Sequence, residues 1–99
     1  MLDPTVAGPG DMMDKVSAQR GLWKLMLKLP ALRGKLQIFS AQNSDILGLC
    51  EAFEQAHAML EGLRKAQAPD LRLIAEYENL CSDIENEVVE LCILLDRKK

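Results

Sequence analysis

The sequence predicts an all-α protein, an elongated antiparallel bundle of three helices, or of four if the second is interrupted. Three observations carry this. Leucine is abundant and valine sparse, a balance that favours helix. Apolar residues recur at three- and four-residue spacing from Leu32 to Leu63 and again from Ile74 to Leu95. Pro30 and Pro69 fall between the periodic stretches, where prolines end or begin helices rather than interrupt them.

Residues Met1 to Gly10 hold Pro4 and the Gly8-Pro9-Gly10 punctuation, which predicts a flexible N-terminal tail ahead of a single domain over 11–99. Asp11 reads as the N-cap of a first helix, with Asp14 in its first turn and Pro30 just past its end at Leu29. The second half of this helix, Leu22 to Leu29, is apolar almost all round. Its two lysines, Lys24 and Lys28, are four apart and therefore share a face.

The second stripe runs through Leu32, Leu36, Phe39, Ile46, Cys50, Phe53, Leu60 and Leu63, with the polar stretch Ser40 to Asp45 in its middle. Phe39 and Ile46 are one heptad apart, so the stripe stays in phase across those residues, which favours one continuous helix. If the chain turns instead, Asn43 or Ser44 is the cap. Pro69 marks the start of the last helix, with Asp70 in its first turn. Its heptad is the cleanest in the chain: Ile74, Cys81, Val88 and Leu95, interleaved with Tyr77, Ile84 and Leu91. Pro69 to Arg97 spans about 44 Å as helix, longer than a compact globule of this size is wide, so the molecule should be elongated.

A chain of 99 residues makes one domain and buries only about two-thirds of the surface its unfolded form exposes. With 48% hydrophobic residues it is too apolar to be disordered throughout. The start, Met1-Leu2-Asp3-Pro4, lacks the positive flank and apolar core of a secretory leader, and no uncharged apolar run is long enough to span a bilayer. A cytoplasmic protein is expected. Cys50, Cys81 and Cys92 form no C-x-x-C pair, and His57 is the single histidine, so neither a zinc set nor a disulfide framework is expected. On one helix Cys81 and Cys92 stand about 16 Å apart, beyond disulfide reach. Buried reduced thiols are the simpler reading.

Charge is sorted along the chain. Between Val16 and Ser44 there is no acidic residue, while Arg20, Lys24, Lys28, Arg33 and Lys35 are positive. From Asp45 to Asp96 twelve acidic residues face only Arg64, Lys65 and Arg72, under a net charge of -3. Two surfaces of opposite sign follow, able to meet within one molecule, across a dimer or on a partner. Six acids on the last helix, Glu76, Glu78, Asp83, Glu85, Glu87 and Glu90, lack the loop spacing of a calcium site and read as a solvated face with a surplus open to a basic surface. His57 has Glu54 three residues before it and Glu61 four after, the spacing of ordinary helix-surface pairs. With Asn43 it falls on an a-type position, where a polar residue can fix register, and a pH-sensing role is the sharper alternative.

No nucleophile with a base, carboxylate pair, metal set or phosphate loop is legible, so no catalytic, cofactor-binding or metal-ligating residue is assigned. Leu22, Trp23, Lys24, Met26, Leu27 and Lys28 either close the core, with Trp23 as a lid, or dock a partner protein with Trp23 and Met26 as anchors and the lysines as rim. A membrane surface or nucleic acid on the basic segment is disfavoured by the acidic remainder and a pI near 5.1. Tyr77, Ile84, Val88 and Leu91 are expected to pair two copies into a homodimer. The expected function is a non-enzymatic regulator or chaperone-like adaptor that masks the helical or dimerisation surface of another protein. Antiactivators, anti-sigma-type proteins and secretion chaperones share that physique at the level of fold analogy. A DNA-associated regulator using residues 20–35 and a structural homo-oligomer are the alternatives.

Overall fold

The computed structural model describes the backbone of residues 3–97 and the side chains of residues 16–97. It is all-α. Four helices follow in order: α1 (Asp3–Lys28), α2 (Arg33–Gln42), α3 (Ser44–Lys65) and α4 (Leu71–Arg97), with a single 3-10 turn, Pro30–Leu32, between α1 and α2. α3 is the central element, packed along α1 on one side and α4 on another, while the short α2 closes one end against α1, α3 and α4. The result is a plate of 49 × 44 × 17 Å. Its radius of gyration of 15.4 Å exceeds the roughly 13 Å of a compact chain this long, as a flat, spread molecule requires.

Several boundaries differ from the pattern-based expectation. α1 begins at Asp3, so Asp11 lies inside the helix rather than at its cap, and residues 3–10 are helical in backbone. Pro4 stands in the first turn, where its missing N–H has no intrahelical partner to lose. Met1 and Leu2, and the side chains of Asp11 and Asp14, lie outside the described residues. The helix ends at Lys28, one residue before the expected Leu29, whose N–H still reaches the Leu25 carbonyl at 2.8 Å.

The second stripe is two helices, not one. Asn43 is extended (φ -134°, ψ 116°), and its Oδ1 accepts from the N–H groups of Asp45 at 2.8 Å and Ile46 at 3.2 Å. Its own N–H donates to the Phe39 carbonyl at 2.8 Å, so one residue ends α2 and caps α3. Asn43 therefore fixes a corner rather than a coiled-coil register. Asp70 similarly caps α4 rather than sitting within it: its Oδ1 accepts from the Leu73 N–H at 3.1 Å. α4 starts two residues later than Pro69 suggested.

The core is continuous. Leu22 and Leu25 of α1, Leu36 and Phe39 of α2, Ile46, Cys50, Phe53, Ala56 and Leu60 of α3, and Cys81, Ile84, Val88 and Cys92 of α4 are buried together. Phe53 is fully enclosed, with the His57 ring stacked on it at 5.7 Å and the Lys28 ammonium 5.9 Å from its centroid. α1 approaches α3 most closely at Gly21. A Cβ there would come within 1.8 Å of the Cys50 carbonyl oxygen, so only glycine allows the crossing.

Two expected roles are narrowed by this geometry. Ile84 and Val88 face α3 in the core and are 6% and 0% exposed, and Tyr77 and Leu91 are half-buried beside them. The heptad of α4 packs within the chain and Val88 is fully buried, while Tyr77, Ile84 and Leu91 also reach the outer seam between α3 and α4. Leu22 is also core, and Met26 packs against it, which removes both from a docking face.

Candidate functional site

The sorted charges meet inside the molecule. Lys24 Nζ lies 2.7 Å from Glu54 Oε1, Lys28 Nζ 2.9 Å from Glu85 Oε2 and Lys35 Nζ 2.7 Å from Asp96 Oδ2. The basic segment thus clamps α3 and α4 onto α1 and α2, and three of its five cations are engaged. Arg64 ties α3 to α4 through Glu78 at 2.7 Å and lies 3.6 Å from Glu61 on its own helix. Lys24 and Lys28, expected to rim a docking patch, are structural ties.

Glu54 is buried, and its Oε1 has the Lys24 ammonium at ion-pair distance without hydrogen-bond alignment. The same ammonium is 3.1 Å from His57 Nδ1, which must accept because a lysine ammonium can only donate. His57 Nε2 faces Glu61 at 3.7 Å. His57 thus sits at the core's edge, as the plainer of its two expected readings had it. A polar depression of about 280 Å³ beside it is lined by Lys28, His57, Arg64, Glu78, Cys81, Ser82 and Glu85. Its charges answer one another, Lys28 to Glu85 and Arg64 to Glu78, leaving little field for a ligand.

The three cysteines are free and buried. Burial, reinforced by the neighbouring Cys92 thiol, pushes the Cys50 thiol up to about 11 from 9.0. Burial also raises Cys81 and Cys92 above the ordinary thiol range. These are protonated packing groups, not nucleophiles. Among the described residues no three of His, Cys, Asp and Glu converge on a metal-sized site.

The opposite side of the α3–α4 hairpin is different in kind. Two adjoining depressions follow the seam between these helices. The first, about 540 Å³, is lined by Ser44, Asp45, Gly48 and Leu49 of α3 and by Glu87, Glu90, Leu91 and Leu94 of α4. The second, about 390 Å³, is lined by Ala52, Gln55, Ala56 and Met59 of α3 and by Tyr77, Leu80 and Ile84 of α4. Together they make a groove. Its cause is side-chain size: Gly48, Ala52 and Ala56 lie along one side of α3, and side chains this small leave the seam unfilled. Nothing stands within 4 Å of where a Gly48 Cβ would be.

The walls are apolar and accessible, with Met59 and Leu94 each 49% exposed and Leu80 43% exposed. At one end the rim carries the carboxylates of Asp45, Glu87 and Glu90, none paired with a cation among the described residues. An apolar trough with a negative lip suits an amphipathic helix with a basic flank. Its acids belong to the surplus visible in the sequence, but the trough itself was not anticipated. The signal was the run of small residues at Gly48, Ala52 and Ala56, which reads equally well as helix surface until the neighbour is placed.

On the far side of the molecule, α1 presents Trp23, 58% exposed, and Leu27, 74% exposed. Trp23 is therefore not the lid of the core, and of the six residues expected to contact a partner these two stand out in solvent as apolar side chains. No helix is long and apolar enough to cross a membrane among the described residues. Comparison of the chain with protein-family models, with curated proteins and with solved structures finds no match in any of the three.

Proposed function

We propose that this protein is a non-enzymatic interaction module that receives an amphipathic helix of a partner protein in the α3–α4 groove and thereby masks that helix. A small regulator or chaperone-like adaptor of the antiactivator, anti-sigma or secretion-chaperone kind would act in this way. The observation that carries the reading is the groove's unanswered chemistry: apolar walls open to solvent beside Asp45, Glu87 and Glu90, which pair with no cation among the described residues, whereas the polar depression beside His57 satisfies its own charges. Contiguous apolar surface of this sort mostly marks a binding site. Leucines of the incoming helix supply affinity, and arginines or lysines along its edge set its direction against the acidic end.

The geometry disfavours the DNA-associated alternative. A phosphate footprint needs free cations, and Lys24, Lys28 and Lys35 are each held by a carboxylate of the same chain.

The test is a fluorescence-anisotropy titration with a synthetic amphipathic helical peptide, leucines along one stripe and arginines beside it, set against a copy with glutamates for arginines. Saturable binding of the basic peptide alone is expected. The Glu87→Lys/Glu90→Lys variant should weaken it by about tenfold, the equivalent of 1.4 kcal/mol, and Leu80→Asp should weaken it further. Equal binding of both peptides, or none, overturns the reading.

A further inference from the structure

We propose that the α3–α4 groove also accepts the outer stripe of α1 from a second copy of this chain, so that copies associate head to tail. This rests on the groove being a helix-receiving surface. The occupant is argued from four features. The stripe consists of Val16, Arg20, Trp23 and Leu27, on the side of α1 turned away from Gly21, Leu22 and Leu25, which pack inward. It is apolar and exposed, with Val16 50% accessible beside Trp23 and Leu27.

Its length and spacing match the groove. Val16 to Leu27 rises about 16 Å along α1, and Gly48 to Met59 rises about 16 Å along α3, with the same four-three-four steps at Gly48, Ala52, Gln55 and Met59. Its charge matches too. Arg20 is exposed and has no carboxylate partner among the described residues, unlike Lys24, Lys28 and Lys35. The acidic end of the groove is likewise unanswered.

Charge then chooses the direction. With α1 of the second copy parallel to α3, Val16 enters beside Leu94, Arg20 comes against Glu87 and Glu90, the Trp23 indole fills the depression over Ala52 and Ala56, and Leu27 meets Leu80. Reversed, Arg20 would lie on the neutral end. The depression over the two alanines, about 390 Å³, is roomy enough for an indole.

The topology sets the kind of assembly. α1 lies on the side of α3 marked by Cys50, Glu54 and His57, whereas Gly48, Ala52 and Met59 are about half a helical turn away. Stripe and groove face opposite ways, so one copy cannot satisfy both and two copies cannot close on each other through a two-fold axis. The contact is heterologous and continues into a ring or an open chain. It also occupies the groove, so a client helix must compete with it.

Sedimentation velocity of the full chain across a concentration series tests this, with the emission of Trp23, the single tryptophan, as a second readout. The weight-average mass should rise past that of a dimer, with the emission moving to shorter wavelength. Trp23→Ala and Arg20→Glu should each raise the concentration needed by about tenfold without changing the thermal midpoint. Mixing Arg20→Glu protein with Glu87→Lys/Glu90→Lys protein should restore association that neither shows alone. A chain that stays monomeric at millimolar concentration overturns the proposal, as does association that stops at two copies or is indifferent to Trp23→Ala. Each of these results leaves peptide binding in the groove standing on its own. If the peptide also fails to bind, the groove reading falls with it.

Discussion

The two sides of α3 have opposite physical characters. Towards α1, the helix is in backbone contact at Gly21 and Cys50, buries a carboxylate at Glu54 under the Lys24 ammonium, and continues that polar line through His57 and Glu61. Towards the groove, the same helix offers Gly48, Ala52, Ala56 and open space, with Asp45 joined by Glu87 and Glu90 of α4 in an acidic rim that pairs with no cation among the described residues. One side is filled to contact and electrically closed; the other is underfilled and electrically open. A helix needs only one packed side to fold, so the open side is free to be shaped for something else. Substitutions on the packed side should change stability, and those on the open side should change binding.

The largest effect should come from Gly21→Ala. A methyl group there meets the Cys50 carbonyl oxygen at 1.8 Å and forces α1 off α3, which should cost about 3 kcal/mol or more by urea denaturation. Next is alkaline pH. Because Cys50 is held up to about 11 in the folded chain against 9.0 when exposed, the folded state keeps its proton longer than the unfolded state does. Its contribution is therefore fully present below pH 9 and disappears as pH rises towards 11, a loss of about 2–3 kcal/mol. Cys50→Ala should flatten that part of the stability profile relative to the parent, whatever its cost at neutral pH.

Lys24→Met leaves Glu54 buried without its cation and should cost about 2 kcal/mol, less than for a fully buried pair because the Lys24 side chain is 35% exposed. Adding Glu54→Gln should recover part of that in a double-mutant cycle of thermal melts. Asn43→Ala removes the acceptor for two α3 N–H groups and should cost about 1 kcal/mol. The smallest effect has the opposite sign. Gly48→Ala adds a methyl group in open space on the groove side and should stabilise the chain by about 0.5–1 kcal/mol while weakening peptide binding. If Gly21→Ala and Gly48→Ala behave alike, the contrast between the two sides of α3 fails.

How much of this was legible in the sequence follows from which features are local. The α4 heptad names most of its own buried residues: Cys81, Ile84 and Val88 are core, while Cys92, one position past Leu91, is core outside that pattern. What the heptad cannot say is whether its partner is another copy or another part of the chain; here it is α3. The stripe from Leu36 to Leu60 is buried as its spacing implies, but Phe39 and Ile46 keep the same phase whether or not the helix breaks between them. The break depends on the Asn43 side chain folding back on the next turn, a choice the pattern leaves open.

The charge sorting was visible, and its internal resolution was one of three possibilities. Choosing among them needs the topology, since Lys28 and Glu85 are far apart in sequence and 2.9 Å apart in space. The docking residues were half legible. Trp23 and Leu27 are exposed, but Leu22 between α1 and the core is not, because six apolar residues among the eight from Leu22 to Leu29 do not reveal which side of the helix is covered. Gly21 and the small residues of the groove carried signals that only a neighbouring helix makes readable: a glycine inside an apolar helix and a stripe of small side chains.

The central claim is that the outer seam of the α3–α4 hairpin binds a helix while the inner side of α3 only holds the fold. A ¹H–¹⁵N correlation spectrum of the full chain, titrated with the basic amphipathic peptide, reads both sides at once. Saturable shifts are expected at Gly48, Ala52, Met59, Leu80, Glu87 and Leu94, with Gly21, Cys50 and Val88 unmoved. Shifts centred on Gly21 and Cys50 that leave the seam unmoved would contradict it.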